Sequence, residues 1–160
     1  MINMYQLRDK VLIPTLKEMP KGAADNSVSI ILLLIAHESR GGTYLKQIGR
    51  GPGLGMIQME PETYQDTWEH GDSIRDNAMK MGIILSKNEV PPVSRLFWDL
   101  RFNIFMARQK LYMAPPALPQ AEDLHGQGRY LKKYWNGPGK ATPLDYVDAY
   151  RWWATSSQRI

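Results

Sequence analysis

Ser27-Val-Ser-Ile-Ile-Leu-Leu-Leu-Ile-Ala-His-Glu-Ser39 is followed directly by Arg40-Gly41-Gly42. Ser27 suits a helix N-cap and the glycine pair suits a helix end, so the stretch predicts a helix over residues 28–39. That helix is apolar nearly all round, which places it at the centre of the fold. Residues 30–36 are also the longest apolar run in the chain. Spanning a membrane takes roughly 20 such residues, so no stable membrane insertion is expected. Glu38 lies in the last turn. The apolar turns before it desolvate its carboxyl, and the negative end of the helix dipole disfavours a second negative charge. Both effects favour a protonated acid near neutral pH, the state a general acid needs. The bland alternative is a solvated glutamate at a helix end.

Outward from this helix the pattern stays helical. Met4, Leu7 and Val11 form a short amphipathic stripe, which Pro14 is expected to end or kink. Residues 42–60 are rich in glycine, with scattered apolar residues, and predict a loop with short irregular strands. Pro61 suits the first turn of a new helix through about Glu69. Ile74, Ala78, Met81 and Leu85 mark another. Residues 94–113 show the strongest periodicity, through Phe97, Leu100, Ile104, Ala107 and Leu111, with Trp98, Phe102 and Phe105 widening the same face. Ala121, Leu124, Gly128 and Leu131 lead into Tyr134-Trp135-Asn136-Gly137. Thr142-Pro143-Leu144-Asp145 is a capped helix start carrying Val147, Tyr150 and Trp153. The expected fold class is mainly α with a small β-like insertion after the second helix, in a single domain over residues 1–160.

The 160 residues include no cysteine. Disulfides, thiolate nucleophiles, cysteine-based zinc sites and iron–sulfur clusters are thereby excluded. His37, His70 and His125 lack metal-ligand spacing, so no metal and no cofactor is expected. There is no phosphate-binding Gly-x-x-x-x-Gly-Lys-Ser/Thr, and the glycines at 49, 51 and 53 fail the dinucleotide fingerprint. Net charge is +4. A moderate basic excess suits an anionic partner such as nucleic acid, a membrane surface or an acidic wall polymer. The N-terminal residues have no secretory-signal design, so synthesis in a cytoplasm is expected.

Several motifs occur in a telling order. Glu38-Ser39 precedes Gly53-Leu54-Gly55-Met56-Ile57-Gln58-Met59; Asn103 follows in a long helix, then Tyr134-Trp135-Asn136-Gly137-Pro138-Gly139. Across roughly residues 27–140 this order resembles the lysozyme-like superfamily, in its soluble lytic transglycosylase and goose-type lysozyme branch. The resemblance implies a lysozyme-like (α+β) fold and cleavage of the β-1,4 bond between N-acetylmuramic acid and N-acetylglucosamine in peptidoglycan. It makes Glu38 the general acid, with Ser39, Gln58, Asn103, Tyr134 and Asn136 around the substrate. The cysteine-free form without a signal resembles a bacteriophage wall-cutting protein, an endolysin or a virion-associated enzyme. Such a protein would act as a monomer on glycan strands in the host periplasm and wall.

The residue chemistry sits beside that resemblance. Gln58 can donate to and accept from a sugar amide or hydroxyl, and Gly53 and Gly55 leave room for close approach to the backbone. Asn103 at the border of a buried helix face needs a polar partner, in the cleft or within the fold. The family places a tyrosine hydroxyl immediately before the Asn; here Trp135 holds that place, and Tyr134 is the expected source of the hydroxyl. Glu60 is the second carboxylate to weigh. It would hold water for hydrolysis, or else serve only as a helix-start anion while the sugar's own acetamido group assists. Two other classes remain open at this level: a non-catalytic module that binds wall polymer or a phage structural partner, and a basic helical nucleic-acid binder. The second lacks aromatic–basic interleaving, so no nucleic-acid partner is expected.

Overall fold

A computed structural model describes residues 1–159. Mainly helical structure is what it shows. The elements are α1 (Met4–Leu7), a π-helical turn (Arg8–Leu12), α2 (Ile13–Lys17), α3 (Asp25–Ser39), α4 (Pro61–His70), α5 (Ile74–Lys80), a 3-10 turn (Val93–Phe97), α6 (Leu100–Tyr112), α7 (Leu124–Tyr134) and α8 (Pro143–Ser157). No described helix is long and apolar enough to cross a membrane.

Helix α3 is the axis of the fold. Residues 30–36 are each at most 2% exposed, and α3 contacts α6, α7 and α8. It starts three residues earlier than the sequence suggests, at Asp25, because Ser27 is itself buried inside the first turn. Pro14 does not end the first helix. The π turn immediately before it widens the backbone, and a proline lacking its N–H then fits in the first turn of α2. The strong periodicity of residues 94–113 resolves into two pieces, a 3-10 turn and α6. Asp99 breaks it by accepting the Phe102 N–H as N-cap, and Trp98 is left largely exposed. Helix α5 stops at Lys80, short of the expected Leu85, which is solvent-exposed. Thr142 and Asp145 form the expected capping box at the start of α8.

The expected β-like insertion is not formed as strands. Residues 42–60 contain only two isolated antiparallel bridges, Lys46 to Leu54 and Leu54 to Met59. The reason is local. Gly49, Gly55 and Gln58 all have positive φ, so the chain turns before any extended ladder can propagate. Met56 and Ile57 are consecutive and both fully buried, which no period-two strand with one wet face allows.

Asn103 of α6 ties this loop to the helical body. Its Oδ1 accepts the Met56 N–H at 3.0 Å, and its Nδ2 donates to the carbonyls of Leu96 and Asp99 at 2.7 and 2.8 Å. The loop passes so close that a Cβ on Gly55 would lie 2.2 Å from that Oδ1. A second tie joins the first residues of the chain to its last helix. Ile2 donates its N–H to the Gly41 carbonyl at 2.8 Å and accepts from the Trp153 indole at 2.8 Å. Met4 N–H reaches the Ser157 hydroxyl at 2.9 Å, and the Asn3 amide donates to the Ser157 carbonyl.

Candidate active site

Glu38 reaches the surface where α3 ends. Arg40 takes a left-handed conformation there (φ 50°) and turns the chain sharply away. Ser39 secures the turn: its hydroxyl donates to the Ile35 carbonyl at 3.3 Å and accepts the Gly42 N–H at 2.9 Å. Ser39 is fully buried, so its part is to hold the helix end, not to meet a ligand.

The Glu38 carboxyl is covered on one side by α8. Tyr146, one turn into that helix and fully buried, donates its hydroxyl to Glu38 Oε1 at 3.1 Å. Tyr44, from the loop, donates to the Glu38 backbone carbonyl at 2.9 Å. Burial pushes the Glu38 pKa up to about 7; the Tyr146 bond pulls it down, and the nearby negative Glu60 adds a further rise. The carboxyl is therefore about half protonated at neutral pH. Burial and the Glu38 charge together push the Tyr146 phenol up, so it remains a donor at every physiological pH. His37 packs against the Tyr146 ring in a tilted arrangement, centroids 4.2 Å apart, and burial keeps its pKa below the ordinary value.

Two connected hollows meet at Glu38. The first has a volume of about 430 Å³ and is lined by Gln58, Glu60, Thr63, Trp135 and Asn136 among others. The second, about 840 Å³, runs past His37 and Arg40 to Asp148 and Trp152. Glu38, Tyr44, Gln47, Asn136 and Lys140 belong to both. The carboxyl thus borders both hollows, which together form one polar groove.

Of the residues singled out in the sequence, Glu38, Gln58, Glu60 and Asn136 come together in this groove. Gln58 is mostly buried; its Nε2 donates to the Gly55 carbonyl at 2.7 Å, and its Oε1 has no partner. Glu60 is the N-cap residue of α4, yet its side chain makes no capping bond and lines the groove instead. Asn103 is not in the groove. It acts one layer beneath, holding the loop that carries Gln58.

Tyr134 is a correction. Its ring packs against Tyr130, centroids 4.8 Å apart, with the Lys133 ammonium above it. The hydroxyl on Glu38 comes from Tyr146, while Trp135 lines the groove. One helical residue is about 100° of rotation, so Tyr134 and Trp135 cannot share a face. The signal for Tyr146 was in the sequence: the capping box fixed where α8 begins, and Tyr146 follows Asp145 directly. Lys132 has a structural part that its sequence context does not signal. Its ammonium donates to the carbonyls of Asn136, Gly137 and Gly139 and so fixes the groove wall that carries Asn136.

Replacing Tyr146 by Phe removes a donor to the carboxylate and leaves the ring contact with His37. The Glu38 titration, followed by carboxyl carbon NMR, is expected to move upward from about 7. An unchanged or lowered midpoint would show that the hydrogen bond does not favour the ionised form.

Among the described residues no group of three or more His, Asp or Glu side chains is placed to hold a metal ion. The chain matches no protein-family model, no curated protein and no solved structure.

Proposed function

We propose that this protein cuts the glycan strands of peptidoglycan at the β-1,4 bond between N-acetylmuramic acid and N-acetylglucosamine, with Glu38 as general acid. The observation that carries the reading is a largely covered carboxyl with a pKa of about 7 where two polar hollows meet. A polymer lying in the groove would place an internal bond over the acid, with sugars on both sides. Gln47, Gln58, Thr63 and Asn136 supply amide and hydroxyl groups suited to sugar hydroxyls and acetamido groups. Net charge +4 suits an anionic wall polymer. The helical body with its loop after α3, and the motif order from Glu38-Ser39 to Asn136, support a lysozyme-like fold in the proposal. A phage-encoded, monomeric wall-lysing enzyme, made in the host cytoplasm and acting in the wall, completes it.

In the proposed reaction Glu38 gives its proton to the glycosidic oxygen, and the C1–O bond breaks with positive charge developing on the sugar ring. The acetamido oxygen of the same sugar closes on C1. Its own C6 hydroxyl then displaces that oxygen and returns a proton to the Glu38 carboxylate, leaving a 1,6-anhydro end. Glu60 stands in the same groove as the alternative: a base holding water, which would give a reducing end.

Mass spectrometry of digested murein separates the two. Anhydro ends, lighter by one water than reducing ends, are expected from the wild type and also from Glu60→Gln. Reducing ends that disappear in Glu60→Gln would replace the internal-attack route with hydrolysis through Glu60. Absence of any new glycan end would overturn the proposed function.

A further inference from the structure

On α6, Arg108 is only 7% exposed, and none of the ion pairs among the described residues includes it. Its Nε is buried without a hydrogen-bond partner. The ring of Tyr112 lies against the guanidinium, 3.8 Å from its carbon, and burial pushes its pKa below the ordinary value. A cation–π contact of this kind offsets part of the desolvation, but it leaves the buried Nε–H without an acceptor. Buried charges are ordinarily paired, because taking an unpaired one out of water costs several kcal/mol.

The guanidinium borders a separate cavity of about 180 Å³ that shares no residue with the groove at Glu38. Its other walls are apolar: Leu111, Pro115, Pro116, Ala117 and Leu118. The mouth is built to keep its shape. Tyr130 donates its hydroxyl to the Pro116 carbonyl at 3.1 Å, and Tyr112 donates to the Pro20 carbonyl, so both hydroxyls are engaged elsewhere. Arg108 is thus the one charged group lining the cavity.

We propose that this cavity is a binding site for a carboxylate carried on a short apolar body, with the carboxylate accepting from Arg108 and the apolar body against the prolines and Leu118. The hollow is small, about 180 Å³, and suits a group of a few carbon atoms. A guanidinium fork matches a carboxylate in plane, and the apolar walls favour an organic anion over a fully hydrated inorganic one.

Isobutyrate, its uncharged analogue isobutyramide and inorganic phosphate are the probes, measured by calorimetry and by the thermal midpoint of the whole chain. Isobutyrate is expected to bind saturably in the millimolar range, at least about tenfold tighter than isobutyramide. Arg108→Met keeps the side-chain stem and removes the buried charge. Ala117→Trp fills the cavity from an exposed loop position and leaves the arginine in place. Both are expected to abolish isobutyrate binding while retaining the helical circular dichroism signal. Absence of saturable isobutyrate binding, equal binding of the amide, or binding that persists in both folded variants would overturn the site. Tighter binding of phosphate than of isobutyrate would overturn the assignment to an organic carboxylate.

Discussion

Glu38→Gln is expected to abolish wall lysis while leaving the fold intact. The amide keeps the shape and can still accept from Tyr146, but it has no proton to give. General acid catalysis is worth about 10²–10⁴-fold in rate, so loss of solubilised glycan by at least about a hundredfold is the expected reading. A variant keeping more than about a tenth of wild-type activity would remove Glu38 from its role. The same substitution has a second signature in stability. The folded-state pKa of about 7 lies above the ordinary value of 4.5, so the folded protein holds this proton more tightly than the unfolded chain. That contribution is fully present below about pH 4.5 and is lost as pH rises through about 7. Glutamine does not titrate. The variant should match the wild type near pH 4 and exceed it above pH 7 by up to about 3 kcal/mol. Denaturant unfolding at the two pH values checks this, and a pH-independent difference would mean that Glu38 is not desolvated. Wild-type activity should likewise fall as pH rises above about 7, because the acid form disappears.

Asn103→Ala carries the largest expected loss of stability outside the apolar core. Asn103 is 1% exposed and joins three backbone groups. Asp99 keeps another donor, the Asn103 backbone N–H. The Met56 N–H and the Leu96 carbonyl each lose the side chain's bond in a buried setting. Each orphaned group costs about 1–3 kcal/mol, so the total is about 3 kcal/mol, a drop of about 10 °C in Tm for a chain of this size. Activity should fall as well, because the loop released is the one that holds Gln58 at its strained positive φ. A Tm change under about 2 °C would show that the loop is held by other means.

The sequence is most readable where one physical effect dominates. The run at residues 30–36 points to a buried helix, and a carboxylate two residues after it points to partial desolvation; α3 and the raised pKa of Glu38 agree. The capping box at Thr142 is equally plain. Readings fail where two effects compete. Periodicity carried residues 94–113 as one stretch, but Asp99 prefers to cap, and the helix restarts there. The scattered apolar residues of 42–60 suggested strands, but positive φ at Gly55 and Gln58 outweighs β propensity. Tyr134 was chosen by nearness along the chain to Asn136, whereas the hydroxyl arrives from a helix that packs beside α3. The capping box marks where α8 begins, but only the fold shows that Tyr146, 108 residues away in sequence, meets Glu38. The same holds for Asn103, whose buried polar character was legible but whose partners were not.

The clasp between the first residues and α8 sets an order of events for a chain leaving the ribosome. Helix α3 emerges well before α8. The contacts that seat α8 reach across 153 and 154 residues to Met4 and Asn3. Closures over such separations are the slow steps of folding. Until α8 docks, Glu38 lacks both its cover and the Tyr146 hydroxyl, and it titrates as an ordinary solvated glutamate. Under the proposed function, docking of α8 is the step that would complete the acid, because it brings the Tyr146 hydroxyl to Glu38. Fraying of that helix alone would take the hydroxyl away.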